Sequence, residues 1–426
     1  MIRRTDVAVL LLVATRAVVA QTPIEVGQWD GLARMPGQSV MRVTITLDSS
    51  AAGWTGMVLV PAARPQPFPI AVVARNKDSL IVRFPAEAQS AVLRLKVSGD
   101  GKRMDGLIET QVRGTVSAAR AGSPEAAALV ESLTRVERSR DAANRLAAST
   151  REAAPPSANP DSARLVTSDI PLFWKTLDRA PADSLAEYLE REYLEKASVG
   201  VRDFIQGRII SAEDLATAVR SNRAQYDTVR AANLEVTRAE PQIRAAFRKL
   251  KELYPDAVFP DVYFVIGRFN SGGTASPRGL LIGADMYRDP AVLPGIVSHE
   301  LIHFQQHYPS EKLLEQAFKE GAADFVGNLI AGRQINNAAH QYGRQHEAEL
   351  WAEFRKHFDD MNYFPWMYGR PTDGKPNDLG YFIGYRIAQA YYEKVRDKRQ
   401  ALREIITARN GNVRELLAMS GYAPRQ

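Results

Sequence analysis

The 426-residue chain contains no cysteine. Disulfide frameworks, cysteine-ligated zinc sites and thiol nucleophiles are therefore excluded. Histidine is scarce: all six lie between His299 and His357, which confines imidazole chemistry to 59 positions. Long apolar runs are also lacking, and Val7–Ala14 (VAVLLLVA) is far too short to span a bilayer as a helix. With 28 glycines and 24 prolines, the chain is neither collagenous nor mainly disordered. It has no polybasic run and no basic–aromatic cluster. The net charge of +6 divides into +2 in residues 1–20, +4 in residues 21–123 and zero in the remainder. Such a distribution is no electrostatic footprint for nucleic acid, and no nucleic-acid partner is expected.

What is present is 45% apolar and 24% charged residues, ordinary for a soluble chain with a large core. At about one domain per 100–200 residues, the length suggests a multidomain protein. Residues 1–20 read as a signal peptide. Arg3 and Arg4 precede the apolar Val7–Ala14, and Val18-Val19-Ala20 offers small residues before Gln21; Asp6 and Arg16 sit less well in the pattern. The expectation is export to the periplasm or the extracellular space, with no transmembrane segment after signal removal. No cysteine follows the cleavage point to carry a lipid anchor.

Residues 21–120 read as a small antiparallel β module, a sandwich or partial barrel. In Val40–Asp48, Met41, Val43, Ile45 and Leu47 alternate with Arg42, Thr44 and Thr46, the period of a half-buried strand. Similar runs are Trp54–Val60, Ile70–Arg75, Leu80–Phe84, Ala91–Val97 and Met104–Val112, separated by turn residues such as Ser98-Gly99-Asp100-Gly101. Residues 27–31 (GQWDG) and 53–56 (GWTG) give the module a resemblance to small β modules that precede catalytic domains in exported bacterial hydrolases, with Trp29 and Trp54 read as core. Residues 121–164 read as a helix opened by Ser123-Pro124-Glu125 and a proline-rich linker at 153–163. Residues 165–426 read as a mainly helical domain. Ser211 and Asp214 form a capping box, and Pro241 opens a helix to Leu253. A small β piece, Val262–Ile266 and Leu280–Ile282, flanks the loop 268–278.

Residues 299–303 read His-Glu-Leu-Ile-His. On a helix, His299 and His303 share one face and reach one Zn²⁺, while Glu300 is placed as general base. Asp289-Pro290 signals a helix start, delayed by Pro294, and Pro309 signals the stop. Ser310 then caps a second helix carrying Leu313, Leu314, Phe318, Phe325 and Leu329, and the short connection makes the two helices antiparallel neighbours. At ~1.5 Å per residue, His299 and Glu320 both lie ~15 Å from the turn. Glu320 is thus level with His299 as third ligand, leaving a fourth position open, as in a catalytic zinc site. Asp324, one turn on, can fix the His299 tautomer. An oxyanion donor is also needed. Tyr385 is the first choice and Tyr381 the second, at i and i+4 beside Gly380 and Gly384. His307 follows His303 by one turn and can line the cleft, whereas His340, His346 and His357 read as surface or satisfied histidines.

HELIH followed by EGAADF at 320–325 resembles the gluzincin metallopeptidases, whose pattern is H-E-x-x-H then E-x-x-x-D and whose familiar member is thermolysin. The sequence is similar to a bacterial family of predicted zinc-dependent proteases related to gliding-motility lipoproteins. The shared hallmarks are LYPD at 253–256, SGGT at 271–274, HELIHFQQ at 299–306, and DLGYFIGY at 378–385. The likeness covers about residues 165–426, and the chain departs from thermolysin in a shorter gap between His303 and Glu320. It implies a zincin-like α+β fold and a zinc cofactor. It also implies a peptide or protein substrate, bound along an edge strand before the His299 helix, either Val262–Ile266 or Leu280–Ile282. The expected function is an exported zinc-dependent metallopeptidase. The alternatives are a non-catalytic envelope or interaction protein that keeps the fold, and a zinc-dependent hydrolase of a non-peptide amide.

Overall fold

The computed structural model describes residues 23–35, 40–51, 53–62, 65–76, 79–84, 92–109, 113–149, 154–364, 366–368 and 374–424. The signal-like residues 1–20 lie outside them. Two compact units divide between Glu137 and Arg138. The boundary falls inside the helix Pro124–Ala148, whose first turn is capped where Ser123 Oγ accepts from Ala126 N–H at 3.1 Å.

The first unit is one nine-stranded antiparallel sheet. Its strands are β1 (Gly27–Arg34), β2 (Met41–Ser50), β3 (Gly53–Leu59), β4 (Phe68–Pro69), β5 (Val72–Asn76), β6 (Ser79–Arg83), β7 (Val92–Val97), β8 (Arg103–Glu109) and β9 (Arg113–Arg120). They are ordered β4-β3-β2-β1-β9-β8-β7-β6-β5. The alternation in β2 does what the sequence requires: Val43, Ile45 and Leu47 are buried and Arg42 is exposed. The chain leaves β4 at one edge and enters β5 at the other through Ile70 and Ala71. Ile70 N–H donates to Gly56 O and Ala71 N–H to Arg83 O, both at 2.9 Å, so the sheet curls into a partial barrel. Trp29 is fully buried in the core, with Nε1 donating to Glu25 O at 2.9 Å and the Arg120 guanidinium 3.9 Å from its ring. Trp54 packs half-buried on the same core.

The second unit is mainly helical around a small sheet. The end of the Pro124–Ala148 helix belongs to it, with Arg140 donating twice to Asp214 at 3.1 Å. The proline-rich stretch is fastened down: Ser157 exchanges two backbone hydrogen bonds with Phe259, at 3.0 and 2.7 Å, and Arg248 pairs with Asp161. The sheet order is β10 (Leu165–Val166), β11 (Val262–Val265), β13 (Gly279–Gly283) and β12 (Gly273–Ser276). β10, β11 and β13 run parallel and β12 antiparallel. β11 and β13, the two strands expected to offer an edge, are therefore interior. The edges are β10 and β12, and β12 is drawn from the Gly-Gly loop, where one β-branched residue, Thr274, and no apolar alternation announce a strand only weakly.

Three helices form the heart of this unit: Leu293–Gln305, Leu313–Ala331 and Leu379–Lys394. The last two cross at backbone contact. A Cβ on Gly384 would lie 1.8 Å from Ala317 O, and one on Gly321 would lie 2.1 Å from Tyr385 N. Glycine at both positions is what allows the approach. The first helix is preceded by a 3₁₀ turn, Pro290–Val292, capped by Asp289. It stops at Gln305, four residues before Pro309. The second begins at Leu313, and its cap is the Glu315 carboxylate, which accepts from Glu311 and Lys312 N–H at 2.9 and 3.1 Å, not Ser310. His299 is six residues from the end of one helix and Glu320 seven from the start of the next, so the expected level pairing survives the shifted boundaries.

The loop that leads into β12 is held by buried Asp285, which accepts from Gly267 N–H at 2.9 Å and Phe269 N–H at 2.7 Å. Burial pushes the Asp285 carboxyl up to about 6.

Two outcomes follow from this packing. Gly384→Ala should cost about 2–4 kcal/mol in urea unfolding, by overpacking at a backbone contact. Gly99→Ala, where a Cβ meets nothing within 4 Å, should change stability by no more than about 0.5 kcal/mol. Asp285 binds its proton more tightly folded than unfolded. Its contribution to stability is therefore full below about pH 4 and lost as pH rises through about 6. The stability of the wild type relative to Asp285→Asn should fall by about 3 kcal/mol between about pH 4 and pH 7; a flat difference would contradict a buried ionisable carboxyl.

Candidate active site

The sequence of the Leu293–Gln305 helix places His299 and His303 one turn apart on one face. Their Nε2 atoms lie 2.9 Å apart. Glu320 Oε2, from the neighbouring helix, is 3.1 Å from His303 Nε2 and 3.5 Å from His299 Nε2. The three residues form a group able to hold a metal ion. Zinc bonded tetrahedrally at 2.0–2.1 Å to nitrogen sets its ligand atoms about 3.3 Å apart, which these three distances bracket.

Each imidazole is fixed from behind. His299 Nδ1 meets Asp324 Oδ1 at 2.7 Å, and Asp324 Oδ2 accepts from Asn336 Nδ2 at 2.6 Å. His303 Nδ1 meets Gln306 Oε1 at 2.7 Å. The Gln306 amide is oriented in turn, because its Nε2 donates to Lys319 O at 3.0 Å. Both partners of Nδ1 are acceptors, so a neutral ring carries its proton there and turns an Nε2 lone pair inward. Three electron-rich atoms then face one another, an arrangement that calls for a cation between them. The same gap also favours a proton: burial opposes charge on His299, but the Asp324 and Glu320 hydrogen bonds outweigh it and raise its pKa well above the ordinary value. Burial likewise opposes charge on Glu320, and the two histidines outweigh it and hold its carboxyl well below the usual range.

The second oxygen of Glu320 is also held. Oε1 accepts from Tyr368 OH at 2.8 Å and from Gln316 Nε2 at 3.0 Å. Tyr368 sits in the left-handed region at φ 61°. Its N–H donates to Asp378 Oδ1 at 2.7 Å, and Gly380 N–H donates to Trp366 O at 2.9 Å. The DLG run at 378–380 thus pins the segment that delivers Tyr368 to Glu320.

Glu300 is buried beneath the edge strand. A Cβ on Gly273 would lie 2.5 Å from Glu300 Oε1, so the backbone of β12 passes directly over the carboxylate. Burial raises the Glu300 pKa, with the Glu320 charge adding to it against the histidines and Arg208.

The two tyrosines separate. Tyr381 stacks with His299 at 6.3 Å and 17°. Tyr385 is one turn further along, accepting from Asn328 Nδ2 at 3.0 Å and packing on His340 and Phe325. The structure thus brings Tyr381, not the first-choice Tyr385, beside the histidine pair. His307 lies past the end of its helix and is exposed. His340 is buried with Nε2 3.9 Å from Asp324 Oδ2, while His346 and His357 pair with nearby carboxylates. Gln306, Gln316, Asn336 and Tyr368 were not singled out from sequence. Gln306 stood in plain view inside HELIHFQQ, but its role depends on Lys319 O across the turn. Tyr368 lies 48 residues beyond Glu320 and carries no local signal.

Among the described residues, no helix is long and apolar enough to cross a membrane. Residues 270–407, about a third of the chain, match a family described as "Predicted Zn-dependent protease (DUF2268)", and the match contains the whole constellation. No curated protein and no solved structure matches the chain.

Proposed function

We propose that the protein is a zinc-dependent metallopeptidase, and that His299, His303 and Glu320 hold the metal. The observation that carries this reading is the convergence of three lone-pair-bearing atoms within 3.5 Å, each fixed from behind by a hydrogen bond. When bound, zinc supplies a Lewis acid that polarises a carbonyl and lowers the pKa of water to about 7. Glu300 takes a proton from the attacking water and passes it to the leaving amine nitrogen. Its burial raises its pKa toward the range useful for that exchange. Tyr381, beside His299, is the group placed to donate to the developing oxyanion. The free edge of β12 offers main-chain hydrogen bonds to an extended peptide lying over Glu300. The basic and then apolar pattern of residues 1–20 supports action outside the cytoplasm.

Metal analysis of the purified protein should find one zinc per chain, with loss of activity on chelation and return on adding zinc. Glu300→Gln should retain that zinc and lose peptide cleavage by a factor on the order of 10³ or more. Unchanged cleavage in this variant would sink the mechanism. Asp324→Ala and Gln306→Ala should each weaken zinc binding about 10–100-fold in competition with a chromophoric chelator.

A further inference from the structure

Beside the loop that leads to β12 stands a cation that nothing above has used. Arg208 lies in the strained segment 205–210. Gly207 has φ 71°, and Ile210 has φ 69° and ψ −61°. Ser211 N–H donates to Ile209 O at 2.9 Å, which closes a γ-turn centred on Ile210. That turn is rare and strained, the more so on a β-branched residue. The segment is bolted to the loop that feeds the edge strand: Arg208 O accepts from Arg268 Nε at 2.7 Å and from Asn270 Nδ2 at 3.0 Å. All these anchors are on the backbone. The side chain itself is half-buried, its Nε is shielded from solvent without a hydrogen-bond partner, and it makes no ion pair among the described residues. The neighbouring cations are already engaged. Arg278 is paired with Asp203, and Arg140 with Asp214. The Arg208 charge does reach Glu300, where it favours the carboxylate form.

A guanidinium carried on strained backbone beside the edge-strand loop, with its Nε shielded and no ion pair among the described residues, has donors that the fold leaves unused. Its planar donors match a carboxylate. We propose that Arg208 is a specificity-determining residue that binds a carboxylate of the substrate, either a peptide's C-terminal carboxylate or an acidic side chain near the scissile bond. The proposal rests on the peptidase reading for the identity of the ligand.

The test measures binding without turnover, by calorimetry on full-length, zinc-loaded Glu300→Gln protein. The probes are an N-acetylated apolar tripeptide as free acid and as C-terminal amide, and the amide carrying Asp or Asn at each position in turn. One acidic probe should bind about tenfold or more tightly than its neutral counterpart. Adding Arg208→Met should erase that difference, and Arg208→Lys should keep part of it. Because the anchors of the segment are backbone groups, Arg208→Met should melt no lower than its parent. Preference for free acid over amide assigns the C terminus; preference for Asp over Asn assigns a side chain. Equal binding of acidic and neutral probes, or a preference that survives Arg208→Met, overturns the proposal. If the wild type hydrolyses no peptide while the preference holds, the peptidase reading falls and carboxylate recognition stands.

Discussion

The second unit is organised around an unfavourable proximity. His299 Nε2, His303 Nε2 and Glu320 Oε2 are all electron-rich, and all lie within 3.5 Å of one another. Left to themselves such groups separate or seek water. Here they cannot, because the elements that carry them are locked elsewhere. The Glu320 helix is clamped by the Gly321–Gly384 crossing, and the His299 helix is buried along most of its length. Rotating either ring away would break His299–Asp324 on one side or His303–Gln306 on the other, and Asn336 and Lys319 O hold those two partners in turn. The folding energy of a large apolar core thus holds a small polar cluster in a geometry that only a cation relieves.

The hallmark motifs acquire separate physical duties. In EGAADF, Glu320 and Asp324 are one turn apart and meet His303 and His299, while Gly321 permits the crossing of the Leu379–Lys394 helix. In DLGYFIGY, Asp378 holds Tyr368, Gly380 packs on Met367, Tyr381 stacks with His299, and Gly384 meets Ala317. These residues are far apart in the chain, yet each either touches the cluster or permits a contact that does.

Legibility in the sequence followed how local each signal is. His299, Glu300 and His303 were readable because helical periodicity alone puts them together. Glu320 and Asp324 were readable because two helices joined by a short turn have one register available, and an error at one boundary was offset by an error at the other. The β module was legible from alternation, although its closure through Ile70 and Ala71 depends on where its two edges meet. The edge strand was not legible. Gly-Thr-Ala-Ser has little strand propensity of its own, and it is a strand because β13 pairs with it. The order of Tyr381 and Tyr385 was equally out of reach, since i and i+4 share a face and only the depth of the crossing decides which ring stacks with His299.

The wall opposite the two histidines is backbone, and this has a consequence for recognition. Gly273 lies against the Glu300 carboxylate so closely that any side chain there would displace it. A backbone wall can hold an extended chain through main-chain hydrogen bonds, but it tells one side chain from another poorly. Discrimination then has to come from groups set around that strand. The loop entering β12 is fastened by Asp285 on one side and by the carbonyl of Arg208 on the other. The same fastening that makes the strand a rigid template also fixes the base of the Arg208 side chain, so template and charge are positioned by one set of backbone bonds.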